Sequence, residues 1–130
     1  MRAAFYDRYG SAGEVLQIGD LPDLEPGPGE VRVQIATSGV NPSDVKARAG
    51  SRGPMEWPSI VPHSDGAGTI DVVGTGVSGD RVGERVWVYE AQWRRRWGTA
   101  AESTVVPAER AVALPAATTF VEGPVSASRR

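Results

Sequence analysis

The sequence contains no cysteine and a single histidine, His63. Without cysteine the chain can form neither disulfides nor thiolate metal sites, which is compatible with a reducing cytoplasm. Tetrahedral zinc needs several histidine, cysteine or carboxylate ligands at suitable spacings, so this composition argues against a zinc site. A histidine-based catalytic triad gains no support either, because no serine near His63 stands out as a nucleophile.

Long apolar segments and a strong charge of either sign are also missing. The first ten residues lack the apolar core of a signal peptide, and no run approaches the roughly 20 apolar residues of a membrane-spanning helix. A net charge of −2 provides no general attraction to nucleic acid. We therefore expect a cytoplasmic protein that binds neither membranes nor nucleic acids.

Glycine and proline are abundant, at 16 and 10 of the 130 residues. Short β-branched runs bounded by glycine, proline and aspartate are typical of strands joined by tight turns. Residues 31–36 alternate strictly between apolar and polar, which predicts a strand with one buried face. The remaining strands are predicted at 3–6, 15–18, 69–73, 83–88, 98–106 and 111–114. About seven short strands and one short helix favour a mainly β, partly open barrel.

The one predicted helix lies between Asn41 and Gly50. Asn41 suits the N-cap, Pro42 the first helical position and Asp44 the first turn, while Gly50 lies just past the end. Capping alone would explain both Asn41 and Asp44. A role for the two residues at a ligand is equally open.

Two glycine-rich segments have different interpretations. Residues 74–79 match the G-x-G-x-x-G pattern after a strand, but no helix with an apolar stripe follows, so we interpret them as a turn rather than a dinucleotide site. In residues 62–68 the glycines indicate a sharp turn or a close backbone approach. We expect His63, which lies in this second segment, to form hydrogen bonds in a loop that lines a cleft.

Basic and aromatic side chains offer further candidates. Lys46 and Arg48 are predicted to be solvated on the helix, although either could contact a phosphate. The run from Trp93 to Trp97 places aromatic rings beside three arginines, a combination that can bind nucleic acid. In a chain of negative net charge, a loop over a cleft or at a subunit contact is the better interpretation.

Four segments together resemble the N-terminal, GroES-like domain of the medium-chain dehydrogenase/reductase superfamily, close to its NADPH:quinone oxidoreductases. They are GEVRVQIATSGVNPSDVKARAG, PSIVPHSDGAGTIDVVGTGV, VGERVWVYEAQW and GTAAESTVVPAERAVALP. The resemblance implies a GroES-like, partly open β-barrel with one or two short helices over residues 1–115. It also implies that residues 116–130 form an irregular tail at the start of a Rossmann domain that is not present.

The resemblance also implies which residues form the site. The zinc-dependent branch has a cysteine ligand at the position of Asn41 and a His-Glu pair at His63 and Ser64, so this chain is similar to the zinc-free branch. In that branch Asn41 and Asp44 would approach the nicotinamide end of NADPH. A substrate cleft bordered by Lys46, Arg48, His63 and Ser64 would take a quinone or an enone. No residue is assigned as the catalytic acid or base, and no metal ligand is assigned.

The leading hypothesis for function is therefore the acceptor-side domain of a zinc-independent, NADPH-dependent quinone or enone reductase. We expect such a domain to be truncated, inactive alone and unable to hold NADPH tightly, so whether the chain is itself an enzyme stays open. Activity would need a nucleotide-domain partner or a homo-oligomer. Two alternatives are a non-catalytic GroES-like binding or assembly module and a nucleic-acid binder that uses the segment between Trp93 and Trp97.

Overall fold

The computed structural model describes residues 1–121 of the chain. Within them, seven strands and two short α-helices follow one another: β1 Arg2–Phe5, α1 Ala12–Val15, β2 Gln17–Asp20, β3 Glu30–Gly39, α2 Pro42–Arg48, β4 Asp65–Val73, β5 Arg85–Val88, β6 Ser103–Pro107 and β7 Ala111–Ala113. Single turns of 3-10 helix at Gly79–Arg81 and Ala108–Arg110 precede β5 and β7. Most of the predicted tail at 116–130, from residue 122 onward, lies outside the described residues.

The strands form two antiparallel sheets. One has five strands in the order β6-β3-β4-β5-β7, and β1 pairs with β2 in a separate ribbon. The sheets do not close completely, which confirms the predicted mainly β, partly open GroES-like fold with short helices. Across residues 1–121 no crossover helix joins two parallel strands, the arrangement that a Rossmann unit requires.

Strand β3 follows the predicted alternation. Val31 and Val33 are fully buried, whereas the side chain of Gln34, on the opposite face of the strand, is exposed. The strand runs on to Gly39, beyond the predicted end at residue 36, through a β-bulge between Ile35 and Thr37. Bulges re-aim the side chains that follow them. The extension places Ser38 opposite β4, next to the candidate site.

Strand β4 begins earlier than predicted, at Asp65 rather than at residue 69. Its glycine-rich start pairs with β3 on one side and, from Gly66, with β5 on the other. A Cβ at Gly68 would lie 1.9 Å from the Gln34 carbonyl oxygen, so the paired backbones of β3 and β4 leave no room for a side chain at this position. The predicted close backbone approach is therefore confirmed. Glycine is generally unfavourable in strands, but here it is the residue that allows β4 to pair this closely with β3.

Other predicted boundaries are also wrong. Val15 ends helix α1 and fills the second core cluster, so the predicted strand at 15–18 begins only at Gln17, after the helix. Strands β5 and β6 begin at Arg85 and Ser103, later than predicted. Residues 74–79 form the predicted turn, because β4 and β5 pair antiparallel on either side of it and the glycine run leads only into one turn of 3-10 helix.

Two apolar clusters support these elements. The larger lies on one face of the five-stranded sheet and contains valines of β3, β5 and β6 with Ile70 of β4. The smaller packs Tyr6, Val15 and Ile60 together, with Tyr9, Met55 and Trp57 at its border. The second cluster connects the end of β1 to the segment between α2 and β4, and so holds in place the loop that leads to His63.

Candidate functional site

Two hydrogen bonds of Asn41 fix the N-terminus of α2. Its backbone N–H donates to Asp44 Oδ2 at 2.7 Å, as in a capping box, which confirms the predicted cap with Pro42 at the first helical position. Its side-chain Nδ2 donates to Asp65 Oδ2 at 2.8 Å. The second bond ties the helix to the first residue of β4, so the Asn41 carboxamide is held in one orientation.

Asp44 is a buried carboxyl with unused hydrogen-bonding capacity. It is 3% exposed, and its Oδ1 has no hydrogen-bond partner among the residues that the structure describes. Burial raises the pKa of Asp44, while the Asn41 N–H and, when it is protonated, His63 act in the opposite direction. An acceptor without a donor at a helix N-terminus is unusual in a folded protein and is a feature that a ligand can satisfy.

His63 belongs to a chain of hydrogen bonds that crosses the sheet. His63 Nδ1 lies 2.9 Å from Ser38 Oγ, and Ser38 Oγ lies 2.8 Å from Thr99 Oγ1. Thr99 in turn donates to the Asp65 carbonyl oxygen at 2.7 Å. The chain brings together β3, the start of β4 and the loop before β6.

The order of donors along this chain fixes the tautomer of His63. Because a carbonyl oxygen can only accept, the single Thr99 hydroxyl proton is used on Asp65. Ser38 must then donate to Thr99, and Ser38 Oγ must accept from His63 Nδ1–H. Neutral His63 therefore carries its proton on Nδ1, which leaves the lone pair on Nε2 to accept a proton or a hydrogen bond.

The backbone and surroundings of His63 are also unusual. Its φ of +80° lies in the left-handed region, which costs a non-glycine residue energy and is concentrated at functional sites. Burial lowers the pKa of His63, and Asp44 opposes this shift whereas Arg48 adds to it. The predicted hydrogen-bonding loop position of His63 is confirmed, and the imidazole is predominantly neutral at neutral pH.

The other predicted cleft residues are less closely connected to this group. Arg48 donates from Nε to the Gly10 carbonyl at 3.3 Å and so braces the loop after β1. Lys46 is exposed on α2. The Ser64 carbonyl accepts from the Ala91 N–H at 3.0 Å, which joins the site to the loop after β5. Their role at a substrate cleft stays a prediction.

The arginines between Trp93 and Trp97 have separate partners. Arg95 pairs with Glu30 at 2.6 Å, and Arg96 donates to Ser59 while lying over the Trp97 ring. Arg94 lies over the Trp93 ring, 5.2 Å from its centroid. Two of the three cations therefore stabilise the loop itself, so this segment does not form one basic surface.

Sequence reasoning missed Ser38, Thr99 and Asp65 as members of the site. Ser38 and Thr99 are 61 positions apart, and although both lie in the segments that resemble the family, nothing in their local sequence assigns them a role. Asp65 directly follows His63 and Ser64 in the sequence. This adjacency to two predicted site residues is the one signal that could have identified it. No group of three or more histidine, cysteine or carboxylate side chains in residues 1–121 is arranged to hold a metal ion.

Comparison with known proteins identifies the class. An open antiparallel sheet, with a capped helix after its third strand, defines a GroES-like domain. Residues 27–116 match the model of the alcohol dehydrogenase GroES-like domain, and the chain belongs to this family. The resemblance to the N-terminal domain of the medium-chain dehydrogenases and reductases is thereby confirmed.

Particular relatives are dehydrogenases and reductases. The chain is 36% identical over 118 residues to dehydrogenase orsE of Emericella nidulans, which covers 88% of this chain and 34% of the relative. It is 36% identical over 116 residues to trans-enoyl reductase fsr4 of Gibberella fujikuroi, covering 87% of this chain and 32% of the relative. The Escherichia coli quinone oxidoreductase complexed with NADPH superposes with a TM-score of 0.84 at 26% identity, covering 97% of this chain and 37% of that one.

The chain thus spans about a third of the length of the curated relatives that it matches. None of the helices in the described part of the chain combines the length and apolar composition needed to cross a membrane.

Proposed function

We propose that this chain is the acceptor-side domain of a zinc-independent, NADPH-dependent reductase that transfers hydride to a quinone or an enone. The family and the relatives named as dehydrogenase, trans-enoyl reductase and quinone oxidoreductase support a reductase of this kind. The observation that carries the proposal is the braced N-terminus of α2, where Asn41 is held by Asp65 and Asp44 keeps an unsatisfied acceptor.

The residues present fit one end of the cofactor. An acceptor without a donor beside the Asn41 carboxamide suits the amide-bearing nicotinamide, so Asn41 and Asp44 are the residues that would hold it. The turn at 74–79 does not offer a comparable site for the pyrophosphate, because it leads into only three residues of 3-10 helix and not into an α-helix whose N-terminus could bind phosphate. NADPH supplies the hydride when bound, and tight binding needs a nucleotide domain in addition to this chain.

The surroundings of His63 support the zinc-independent part of the proposal. On its Nδ1 side the imidazole meets the Ser38 hydroxyl rather than a thiolate or carboxylate, and Ser64 follows it in sequence. Hydroxyls of serine are not among the common zinc ligands. In the proposed enzyme His63 borders the acceptor cleft together with Ser64, and Lys46 and Arg48 border it from the helix.

The apolar residues next to the site support a partner domain. Val40 and Val45 flank Asn41 and are 62% and 45% exposed. A domain that covered the site would bury these two side chains. A homo-oligomer that covers the same face is the second way to bury them.

The test is reconstitution in trans. The purified chain is mixed with a separately produced nucleotide-binding domain of the E. coli quinone oxidoreductase, and NADPH oxidation is followed with a quinone and with an enone. We expect no oxidation by the chain alone and clear oxidation by the mixture. The Asn41→Ala variant should lose this activity, and Ser43→Ala, an exposed change on the same helix, should keep it. Equal rates for the two variants, with both folded by circular dichroism, would refute the proposal.

A further inference from the structure

A cavity of about 350 Å³ lies beside α2, lined from the helix by Ala47, and the roles proposed above do not use it. Its volume is at the lower end of the roughly 300–1,000 Å³ that is usual for small-molecule sites. We propose that this cavity binds a flat aromatic carboxylate, with its ring between aromatic walls and its carboxylate on Arg52 and the Tyr6 hydroxyl. Binding at this site requires neither NADPH nor a second domain, and so goes beyond the proposed function.

The walls favour a planar ring. Four aromatic side chains, Tyr6, Tyr9, Trp57 and Trp93, line the cavity, and they come from the segment after β1 and from two further loops. Tyr6 is held tightly in the second core cluster, while Trp57 is half-buried and Trp93 is exposed. Aromatic faces that are fixed on one side and open on the other suit a flat apolar ligand.

The Tyr6 hydroxyl is a candidate donor in this cavity. Tyr6 is 1% exposed as a residue and lines the cavity, so the small part of it that stays accessible faces the cavity. A phenol at the wall of an aromatic cavity can donate a hydrogen bond to a polar group of a ligand. Burial raises the pKa of Tyr6, which keeps the hydroxyl protonated and able to donate to an acceptor such as a carboxylate oxygen.

Arg52 provides a positive charge that the fold holds in position. The buried Gln92 donates from Nε2 to the Arg95 carbonyl at 3.1 Å, which turns its Oε1 towards the cavity. This Oε1 accepts from Arg52 Nη1 at 2.7 Å. Arg52 forms no ion pair with a carboxylate in the described part of the chain, so its remaining N–H groups are available.

The balance of charge favours an anion over a cation. Arg52 and Arg94 line the cavity with one acidic residue, Glu56, so the charged side chains of the lining itself sum to a single positive charge. Asp44, outside the lining, interacts electrostatically with Arg52 and Tyr6 and opposes this charge. Arg94 lies over the Trp93 ring and thereby already occupies the aromatic face that a ligand cation would use. Planar guanidinium groups bind carboxylates through two parallel hydrogen bonds, which gives this charge a directional preference.

The experiment compares three ligands of the same shape. 2-Naphthoate, 2-naphthalenemethanol and 2-naphthylmethylammonium are titrated into the full 130-residue chain by calorimetry, without cofactor. We expect 2-naphthoate to bind at least about tenfold more tightly than the neutral and cationic compounds, as one charged hydrogen bond provides. The indole N–H signals of Trp57 and Trp93 should shift in NMR spectra, and that of Trp87, a buried residue outside the cavity, should not.

Three variants test the anchors. Arg52→Gln should weaken naphthoate binding at least about tenfold and remove the preference for the anion. Tyr6→Phe should weaken it about fivefold, and the fold should tolerate the change because the ring that packs in the second core cluster is kept. Arg2→Gln, which removes an exposed arginine on β1, is the matched control and should bind normally. Equal binding of the three ligands, tighter binding of the cation, no binding, or loss of binding in the control would each overturn the proposal.

Discussion

The hydrogen-bond chain between Thr99 and His63 predicts that a change in the Thr99 side chain reverses the tautomer of an imidazole to which that side chain is not hydrogen-bonded. In the wild-type chain the Ser38 hydroxyl donates to Thr99 and so accepts from His63 Nδ1–H. In Thr99→Val this acceptor is gone. Ser38 is then free to donate to His63 Nδ1, and the imidazole proton should move to Nε2.

The size of the effect follows from the hydrogen bonds involved. Reversing the wild-type tautomer would break the Ser38 to Thr99 bond, which costs about 1 kcal/mol net and corresponds to about a fivefold preference for Nδ1–H. Thr99 is fully buried and makes two hydrogen bonds through its hydroxyl. Thr99→Val should therefore lower the free energy of unfolding by about 1–3 kcal/mol.

The assay is nitrogen-15 NMR of the imidazole at neutral pH, and it is unambiguous because His63 is the single histidine. The unprotonated nitrogen of the His63 ring should be Nε2 in the wild-type chain and Nδ1 in the Thr99→Val variant. Thr104→Val is the control, because Thr104 is equally buried but its hydroxyl donates to the Trp97 carbonyl, outside this chain of bonds. A wild-type chain protonated mainly on Nε2, or an unchanged tautomer in Thr99→Val, would refute the reasoning.

Two further predictions concern stability. Burial lowers the pKa of His63 below 6.5, more than the facing Asp44 raises it, with Arg48 adding to the decrease. The unfolded chain therefore binds this proton first, and the free energy of unfolding should fall as the pH drops below about 6.5. His63→Gln should remove this decrease, as measured by urea unfolding at about pH 7.5 and about pH 5.5, and an equal decrease in the variant would contradict it. Gly68→Ala should lower the free energy of unfolding by about 2 kcal/mol or more, because the new Cβ would collide with the Gln34 carbonyl. Gly13→Ala is the control, because its Cβ would meet no atom within 4 Å and the fold should keep its stability. Thermal unfolding of the two variants is the measurement, and equal midpoints would contradict the prediction.

Local pattern was enough to predict the elements whose signals lie within a few residues. Strand β3 alternates because one face packs on the sheet core, and α2 begins at Asn41 because its cap, proline and acid follow in order. Strand β4 was different. Its start at Asp65 depends on pairing with β3 and β5, and the glycines that weaken a strand signal are the residues that permit this pairing.

The candidate site was predictable only in part, for a related reason. Asn41, Asp44 and His63 lie in segments that resemble a known family, and the structure places Asn41 and Asp44 together with His63 in electrostatic contact with Asp44. Ser38 and Thr99 reach the site because the sheet brings distant strands together. The side chains of the aromatic cavity likewise come from three separate segments, and no spacing in the sequence connects them.

The contact between residues 61–63 and 97–100 links the two regions mechanically. Backbone hydrogen bonds join Gly98 to Val61 and Thr99 to His63, and at Gly98 the two segments touch so closely that a Cβ would lie 2.4 Å from the His63 carbonyl oxygen. The loop that carries Trp93 continues directly into this contact. A ligand in the cavity that shifted this loop would therefore act on the backbone that carries the imidazole.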